Sequence, residues 1–252
     1  MEIAGKVAVI TGAGSGIGRA CARHMAERGA AVLVADIDEG GGRETVAGIT
    51  AMGGKAEFVP VDVSRLDDLV AMFEAATALF GGFDILCNNA GLVCGQPLWP
   101  DTDPRLLLTQ VAVNLGAVIV GTRLAIEPLR ARGGGVVVNT ASLGALLPLE
   151  DEPGYSATKA GVVMFTRACA ALHTTHNVRV YAVLPGLVDT PLLAKSGDGS
   201  TEAPWARQAR QILPLLSPTD VAEAVVEMIS DDTLAGAYRI VGDLPDFVSE
   251  MI

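Results

Sequence analysis

The sequence predicts a doubly wound α/β fold: one domain, 1–252, built on a seven-stranded parallel sheet with helices on both faces. Three observations carry this reading. Short β-branched runs alternate with helix-length segments. The runs are apolar along their whole length, as strands covered on both faces are. The 252 residues suffice for one large core, and with half of them apolar but only 4% aromatic that core is expected to be aliphatic rather than disordered.

The strands, in order, are VAVIT (7–11), AVLVAD (31–36), AEFVPVDV (56–63), DILCNN (84–89), VVVNTAS (136–142), VRVYAVLP (178–185) and AYRIV (237–241). Parallel neighbours need long crossovers, and helices fill them. Periodicity and end signals place helices over 17–28 closing at Gly29, 39–51 closing at Gly53, 66–79 after Ser64, 104–132 closing at Gly133, 153–176 and 218–230. Pro128 is expected to bend the end of the fourth. The stretch 187–217, rich in Gly, Pro, Ser and Thr, shows no clear period and is too long for an ordinary connection. It reads as a substrate lid or as an insertion without such a role.

Eighteen Lys and Arg against 29 Asp and Glu leave a net charge of −11, which repels phosphate backbones and anionic membranes. Neither nucleic acid nor membrane is an expected partner. Cys21, Cys87, Cys94 and Cys169 form no CxxC pair and no zinc spacing, as thiols of a reducing compartment would. The start lacks a basic region followed by an apolar one, and the most apolar stretch, 111–120, is interrupted by Asn114 and Gly116, so a cytoplasmic location is expected. His173 and His176 have no evident third ligand; they read as partners of a helix C-terminal dipole, and no metal is expected. His24, Met25 and Met72 read as ordinary helix surface or core.

The first strand runs into TGAGSGIGRA, where Gly12, Gly14, Gly16 and Gly18 precede a helical pattern. Glycines let main-chain N–H groups approach a pyrophosphate, and the helix N-terminus adds a positive dipole end, as in the Rossmann dinucleotide turn. The strict GxGxxG register fails because position 17 is Ile, leaving TGxxxGxG, with Ser15 and Ile17 inside the turn. The alternative is a tight turn needing glycine only for its backbone. Asp36 ends the second strand eighteen residues after Gly18. An acid there accepts hydrogen bonds from ribose hydroxyls and repels a 2′-phosphate, which favours NAD over NADP. Ser15, Ile37 and Asp38 supply no cation to offset such a phosphate. Otherwise Asp36 starts a turn or caps the next helix. Asp62 and Val63 close the third strand at the same sheet edge, where the carboxylate meets the adenine amino group or simply makes a turn.

Ser142 follows the fifth strand, Tyr155 comes thirteen residues later, and Lys159 lies four further on. On a helix, residues four apart share a face. A free tyrosine titrates near pH 10, and an adjacent ammonium is expected to lower that value and make the phenol a usable base. A Tyr and a Lys four apart are common in any long helix, so the pair gains meaning only from its company.

That company is TGxxxGxG (11–18), Asn88-Asn89-Ala90-Gly91 after the fourth strand, Asn114, Ser142, Tyr155-x-x-x-Lys159 and Pro185-Gly186 after the sixth strand. Over nearly its whole length, and in this order, the chain resembles the short-chain dehydrogenase/reductase family. The resemblance implies a catalytic tetrad of Asn114, Ser142, Tyr155 and Lys159. In such enzymes the tyrosine exchanges a proton with the substrate oxygen and the serine hydrogen-bonds it. The lysine binds the nicotinamide ribose and lowers the tyrosine pKa, and the asparagine helps to hold a water. It further implies that Asn89, Ala90 and Gly91 lie along the adenosine ribose, that Pro185, Gly186, Val188 and Thr190 border the cofactor with Thr190 at its carboxamide, and that the protein is a homodimer or homotetramer joined through the fourth and sixth long helices. The segments GYSATKAGVVMFTRACA and VLPGLVDTPLL are similar to those of hydroxyprostaglandin-dehydrogenase-like members, in a region that varies little across the family. The chain departs from the family in ending AYRIVGDLPDF where a glycine-rich tail is usual, which puts the usual subunit packing in doubt.

Candidate substrate contacts are Val93 and Gln96 after the fourth strand, Ser142, Leu143 and Tyr155, and Leu192 and Trp205 in the lid, a set suited to an apolar alcohol or ketone. Glu152, three before Tyr155, either bonds substrate or, as is expected of an unpaired carboxylate beside Glu150 and Asp151, lies in solvent. The expected activity is that of an NAD-dependent alcohol dehydrogenase or carbonyl reductase. The rival is a nucleotide sensor or scaffold without turnover, which would have no use for the Tyr-Lys pair. Enoyl reduction is disfavoured by the short Tyr-Lys spacing.

Overall fold

The computed structural model describes residues 1–232 and 236–242. Its main sheet contains β1 (Val7–Thr11), β2 (Ala31–Asp36), β3 (Lys55–Pro60), β4 (Ile85–Asn88), β5 (Gly135–Thr140), β6 (Val178–Pro185) and β9 (Tyr238–Val241), all parallel. The order is β3-β2-β1-β4-β5-β6-β9. Strand order reverses between β1 and β4, so a crevice opens at their carboxyl ends, where doubly wound sheets bind ligands.

Alternation explains the continuously apolar strands. In β1, Ala8 and Ile10 face one layer with α1 (Gly16–Glu27), α2 (Glu39–Ala51) and α10 (Pro218–Ser230). Val7 and Val9 face the other, with α3 (Leu66–Phe80) and α5 (Ala117–Ala131). Successive side chains of a strand point to opposite faces, and here both faces are covered. The core is aliphatic as expected, with Phe73 stacked on Phe83 at 5.0 Å. Met25 and Met72 are buried.

Two long helices differ from expectation. The fourth is continuous over Pro104–Ala131 but is α4 (Pro104–Val111), a π-helical turn (Ala112–Gly116) and α5, with Pro128 inside α5. By length and composition this helix would suffice to cross a bilayer, but its buried residues, among them Asn114, Ala117, Gly121, Ala125 and Leu129, belong to the protein interior. The expected 153–176 helix divides into α6 (Pro153–Ala168) and α7 (Leu172–His176). At the break the Ala170 and Leu172 amides bond carbonyls three residues back, tightening the turn. His173 and His176 sit in the last turn of α7.

The 187–217 stretch has structure of its own: β7 (Leu187–Val188) pairs with β8 (Leu215–Leu216), flanking α8 (Pro191–Ala194) and α9 (Pro204–Ala209). A satellite core of Leu187, Leu193 and Ala206, packed by Trp205 and Leu213, holds it together. Period failed there because each element is shorter than two helical turns. Beneath the crevice runs a buried polar chain: Asn88 Nδ2 donates to Asn139 Oδ1 at 2.9 Å and to Thr122 Oγ1 at 3.1 Å, and Asn139 Nδ2 donates to Thr166 Oγ1 at 3.0 Å. The aromatic, acidic tail after Gly242 lies outside the described residues.

Candidate active site

The glycine turn is packed against the end of β4. Thr11 Oγ1 accepts from the Asn89 and Ala90 amides at 3.0 and 3.1 Å, and Asn89 Nδ2 donates to the Thr11 and Gly12 carbonyls. A Cβ at Gly12 would lie 2.8 Å from Ala90 Cα, and one at Gly18 would overlap the Gly12 carbonyl oxygen. Glycine is thus required at both positions for close approach. Ser15 stands at the N-cap of α1 without a side-chain capping bond, and the first turn carries no acid. Its N–H groups and dipole end therefore suit an anion, and the site fits a dinucleotide pyrophosphate. Ile17 is half-buried in the turn, and the Thr190 methyl would meet a Cβ on Gly16 at 3.0 Å, which brings the segment after β6 to the same place.

Asp36 turns its carboxylate into this turn, accepting from the Gly14 amide at 2.7 Å and from the Asp38 amide at 2.8 Å. The N-cap of α2 is Asp38, so Asp36 is no helix cap. Two nearby arginines were not legible in the sequence. Arg19 bonds the Gly14 and Gly41 carbonyls and pairs with Glu44, and Arg43 pairs with Glu39. Ile37 is 72% exposed at this edge. Asp62 makes a turn, its Oδ1 accepting from Ser64 N and Oγ, which ends β3 at Pro60 rather than at Val63. Val63, Val188 and Pro185 are buried, the two valines in the apolar core.

The four residues of the expected tetrad converge from three elements. Asn114, fully buried in the π turn, donates to the Leu92 carbonyl at 2.9 Å and accepts from the Leu92 amide at 2.8 Å. Lys159, 3% exposed on α6, donates to the Thr140 carbonyl at 2.8 Å, and its Nζ lies 5.6 Å from the centre of the Tyr155 ring. A methyl on Gly91 would be 3.5 Å from both Asn114 Oδ1 and Lys159 Nζ. Ser142 Oγ, at the end of β5, accepts from Gly144 N, and a methyl on Gly144 would sit 3.5 Å from both Ser142 Oγ and Tyr155 Cε1.

The expected depression of the tyrosine pKa is not seen within the protein alone. Burial pushes the phenol up; a hydrogen bond with Ser142 pulls the other way, and Glu152 adds to the rise. Removing a phenolate from water outweighs its one hydrogen bond. Burial also pulls Lys159 down to about 8, which leaves it an ammonium at neutral pH.

Among the substrate candidates, Leu143 is buried, Val93 half-buried, and Gln96 and Leu192 exposed. Trp205 packs in the satellite core. Glu152, expected in solvent, is 4% exposed: its Oε1 accepts from Gly95 N and its Oε2 from Gln110 Nε2, both at 3.3 Å. Gln110 carried no sequence signal, because its partner lies 42 residues away.

A glycine turn at the switch point of a doubly wound sheet, with a buried lysine and a half-buried tyrosine and serine beside it, is the arrangement of a dinucleotide-dependent oxidoreductase. The family model for short chain dehydrogenase matches residues 6–201. A cis-4-hydroxycyclohexanecarboxylate dehydrogenase of Sinomonas cyclohexanicum is 36% identical over 226 residues, 90% of each chain. A cyclohexanol dehydrogenase of Acinetobacter is 34% identical over 227 residues, 90% of this chain and 88% of that one. The crystal structure of a 3-ketoacyl-(acyl-carrier-protein) reductase from Brucella melitensis complexed with NADH superposes with a TM-score of 0.85 at 34% identity, covering 95% of this chain and 98% of that one. The chain belongs to the short-chain dehydrogenase family and is an alcohol dehydrogenase-type oxidoreductase of secondary alcohols or ketones that uses a nicotinamide cofactor.

Proposed function

We propose that the protein interconverts apolar, ring-bearing secondary alcohols and their ketones with NAD, using Tyr155 as general acid/base. The observation that carries this is the convergence of half-buried Ser142 and Tyr155 with buried Lys159, whose ammonium lies 5.6 Å from the phenol ring, together with the Asp36 carboxylate facing the glycine turn. The relatives named for cyclohexanol and hydroxycyclohexanecarboxylate support the substrate class.

Gly12, Ser15, Gly16, Ile17 and Gly18 would hold the pyrophosphate, Asp36 and Ile37 the adenosine ribose, Asp62 and Val63 the adenine edge. Asn89, Ala90, Gly91, Pro185, Gly186, Val188 and Thr190 would border the rest. When bound, nicotinamide supplies the acceptor for the carbinol hydride. Ser142 donates a hydrogen bond to the substrate oxygen. Tyr155 as phenolate takes the hydroxyl proton while the carbon–oxygen bond becomes a carbonyl; in reduction the neutral phenol returns it. Lys159, positive below about pH 8, stabilises the phenolate electrostatically, and Asn114 fixes the backbone at Leu92. Because burial raises the phenol, oxidation should quicken as pH rises above neutrality and reduction should be favoured below it. Val93, Gln96, Leu143, Leu192 and Trp205 wall the substrate side, and the 187–217 segment closes over it as a lid. Exposed Leu108, Val111 and Ile119 on the fourth helix and Met164 on α6 would join copies into a homodimer or homotetramer in the cytoplasm, which light scattering tests.

Cyclohexanol oxidation followed by NADH absorbance tests the central reading. Tyr155→Phe should lose about a thousandfold or more in kcat with NADH affinity kept within threefold; undiminished turnover would refute the mechanism. NAD should exceed NADP in kcat/KM by at least about tenfold, since Asp36 repels a 2′-phosphate; preference for NADP would refute the ribose assignment.

A further inference from the structure

Glu152 occupies the N-cap of α6, yet it makes no capping bond to its own helix. Its carboxylate instead reaches across to two other segments, the loop after β4 through the Gly95 amide and α4 through Gln110 Nε2. Gln110 is fully buried, and its Oε1 has no hydrogen-bond partner; a Cβ on Gly154, two residues beyond Glu152, would lie 2.7 Å from it. A carboxylate held out of water costs free energy unless its oxygens are bonded. This one is bonded to the loop that follows β4, and its charge acts on Tyr155. The same loop is tied at both ends, at Leu92 by Asn114 and at Gln96, whose amide donates to the Gly197 carbonyl of the 187–217 segment at 2.8 Å.

We infer that Glu152 is a positioning residue: it fastens the 92–96 loop to α4 and to the start of α6, and so fixes the substrate-side wall opposite Tyr155. The inference rests on Tyr155 being the acid/base. The titratable groups that face the Glu152 carboxylate are Cys94 from the loop, a thiol pushed up to about 11, and Asp151 and Tyr155 from its own side. Gln110 on α4 is neutral. An ionised Glu152 holds the phenolic proton in place, so its charge also acts on the pH range over which Tyr155 works.

The test compares Glu152→Ala, Glu152→Gln and Tyr155→Phe in the full chain, with cyclohexanol and NAD as probes. Glu152→Ala should raise the cyclohexanol KM about tenfold, the loss of a buried charged acceptor, while the NAD KM stays within twofold. Glu152→Gln, which keeps an acceptor for Gly95, should bring the cyclohexanol KM back to within about threefold of the parent and move the acid limb of the kcat/KM profile to lower pH. An unchanged cyclohexanol KM in Glu152→Ala would overturn the inference. So would a parallel loss of NAD affinity and melting temperature in both Glu152 variants, because that marks a general structural role. Turnover in Tyr155→Phe would instead sink the acid/base reading, whatever the Glu152 variants do.

Discussion

The two sides of the crevice are held by different means. On the glycine-turn side, two short side chains clamp backbone to backbone: the Thr11 hydroxyl accepts from the Asn89 and Ala90 amides, the Asn89 side-chain amide donates to the Thr11 and Gly12 carbonyls, and added atoms at Gly12 or Gly18 would collide with backbone. On the substrate side a few bonds tie loops together, Gly95 to Glu152 and Gln96 to Gly197, over the small cluster of Leu187, Leu193 and Ala206. A wall made of backbone has no alternative packing, whereas a wall made of loops on a satellite core can shift one piece at a time. The first suits a ligand portion of fixed shape, the second a substrate that must enter and leave.

The sharpest way to break this contrast is Gly18→Ala. Its methyl would overlap the Gly12 carbonyl oxygen, so NADH affinity measured by fluorescence should fall at least about a hundredfold and stability by several kcal/mol, as overpacking against immovable backbone does. NADH binding within threefold of the parent would show that the turn yields after all. Next comes Lys159→Met, expected to cut kcat by about a hundredfold or more through loss of the charge beside Tyr155. Thermal melting adds a second reading. The lysine has its pKa pulled from 10.5 to about 8 by burial. Its contribution to stability is therefore fully present only above 10.5 and is lost as pH falls through 8. The Met variant should accordingly melt no lower than the parent at pH 7, and its relative advantage should shrink between pH 8 and 10. A variant that melts lower at pH 7 and gains on the parent as pH rises would contradict that sign. The smallest effect is reserved for the 187–217 segment. Ser196, fully buried, accepts from the Ala203 amide at 3.0 Å and donates to the Leu193 carbonyl at 2.7 Å. Ser196→Ala should cost about 1 kcal/mol locally, seen as faster hydrogen exchange at Ala203 with little change in global melting. A fall in global melting of many degrees would mean that the 187–217 segment and the main core form one cooperative unit.

The same contrast explains what the sequence disclosed. The parallel sheet was readable because its strands are buried on both faces, and the glycine turn because backbone contact demands glycine at set spacings. Tyr155 and Lys159 were readable because a helix brings residues four apart to one face. Residues paired across long stretches of chain were not: Gln110 with Glu152, Lys159 with the Thr140 carbonyl, Arg19 with Glu44. Local pattern gave no warning that Glu152 is buried, because it is one of three consecutive acids, of which Glu150 is exposed and Asp151 half-exposed. The π turn at Asn114 was likewise invisible, since the residues of that turn keep the apolar character of the helix around them.

The amide chain from Asn88 through Asn139 to Thr166 has a consequence for how the sheet beneath the crevice comes into register. Asn88 and Asn139 are partners in the β4–β5 register. A slip of two residues would keep every apolar side chain on its proper face, yet it would strand these amides in a dry interior, at a few kcal/mol for each group left without a partner. The chain thus acts as a vernier. It forbids the sliding that hydrophobic contact alone would permit, and holds the tip of β4 level with the serine that follows β5.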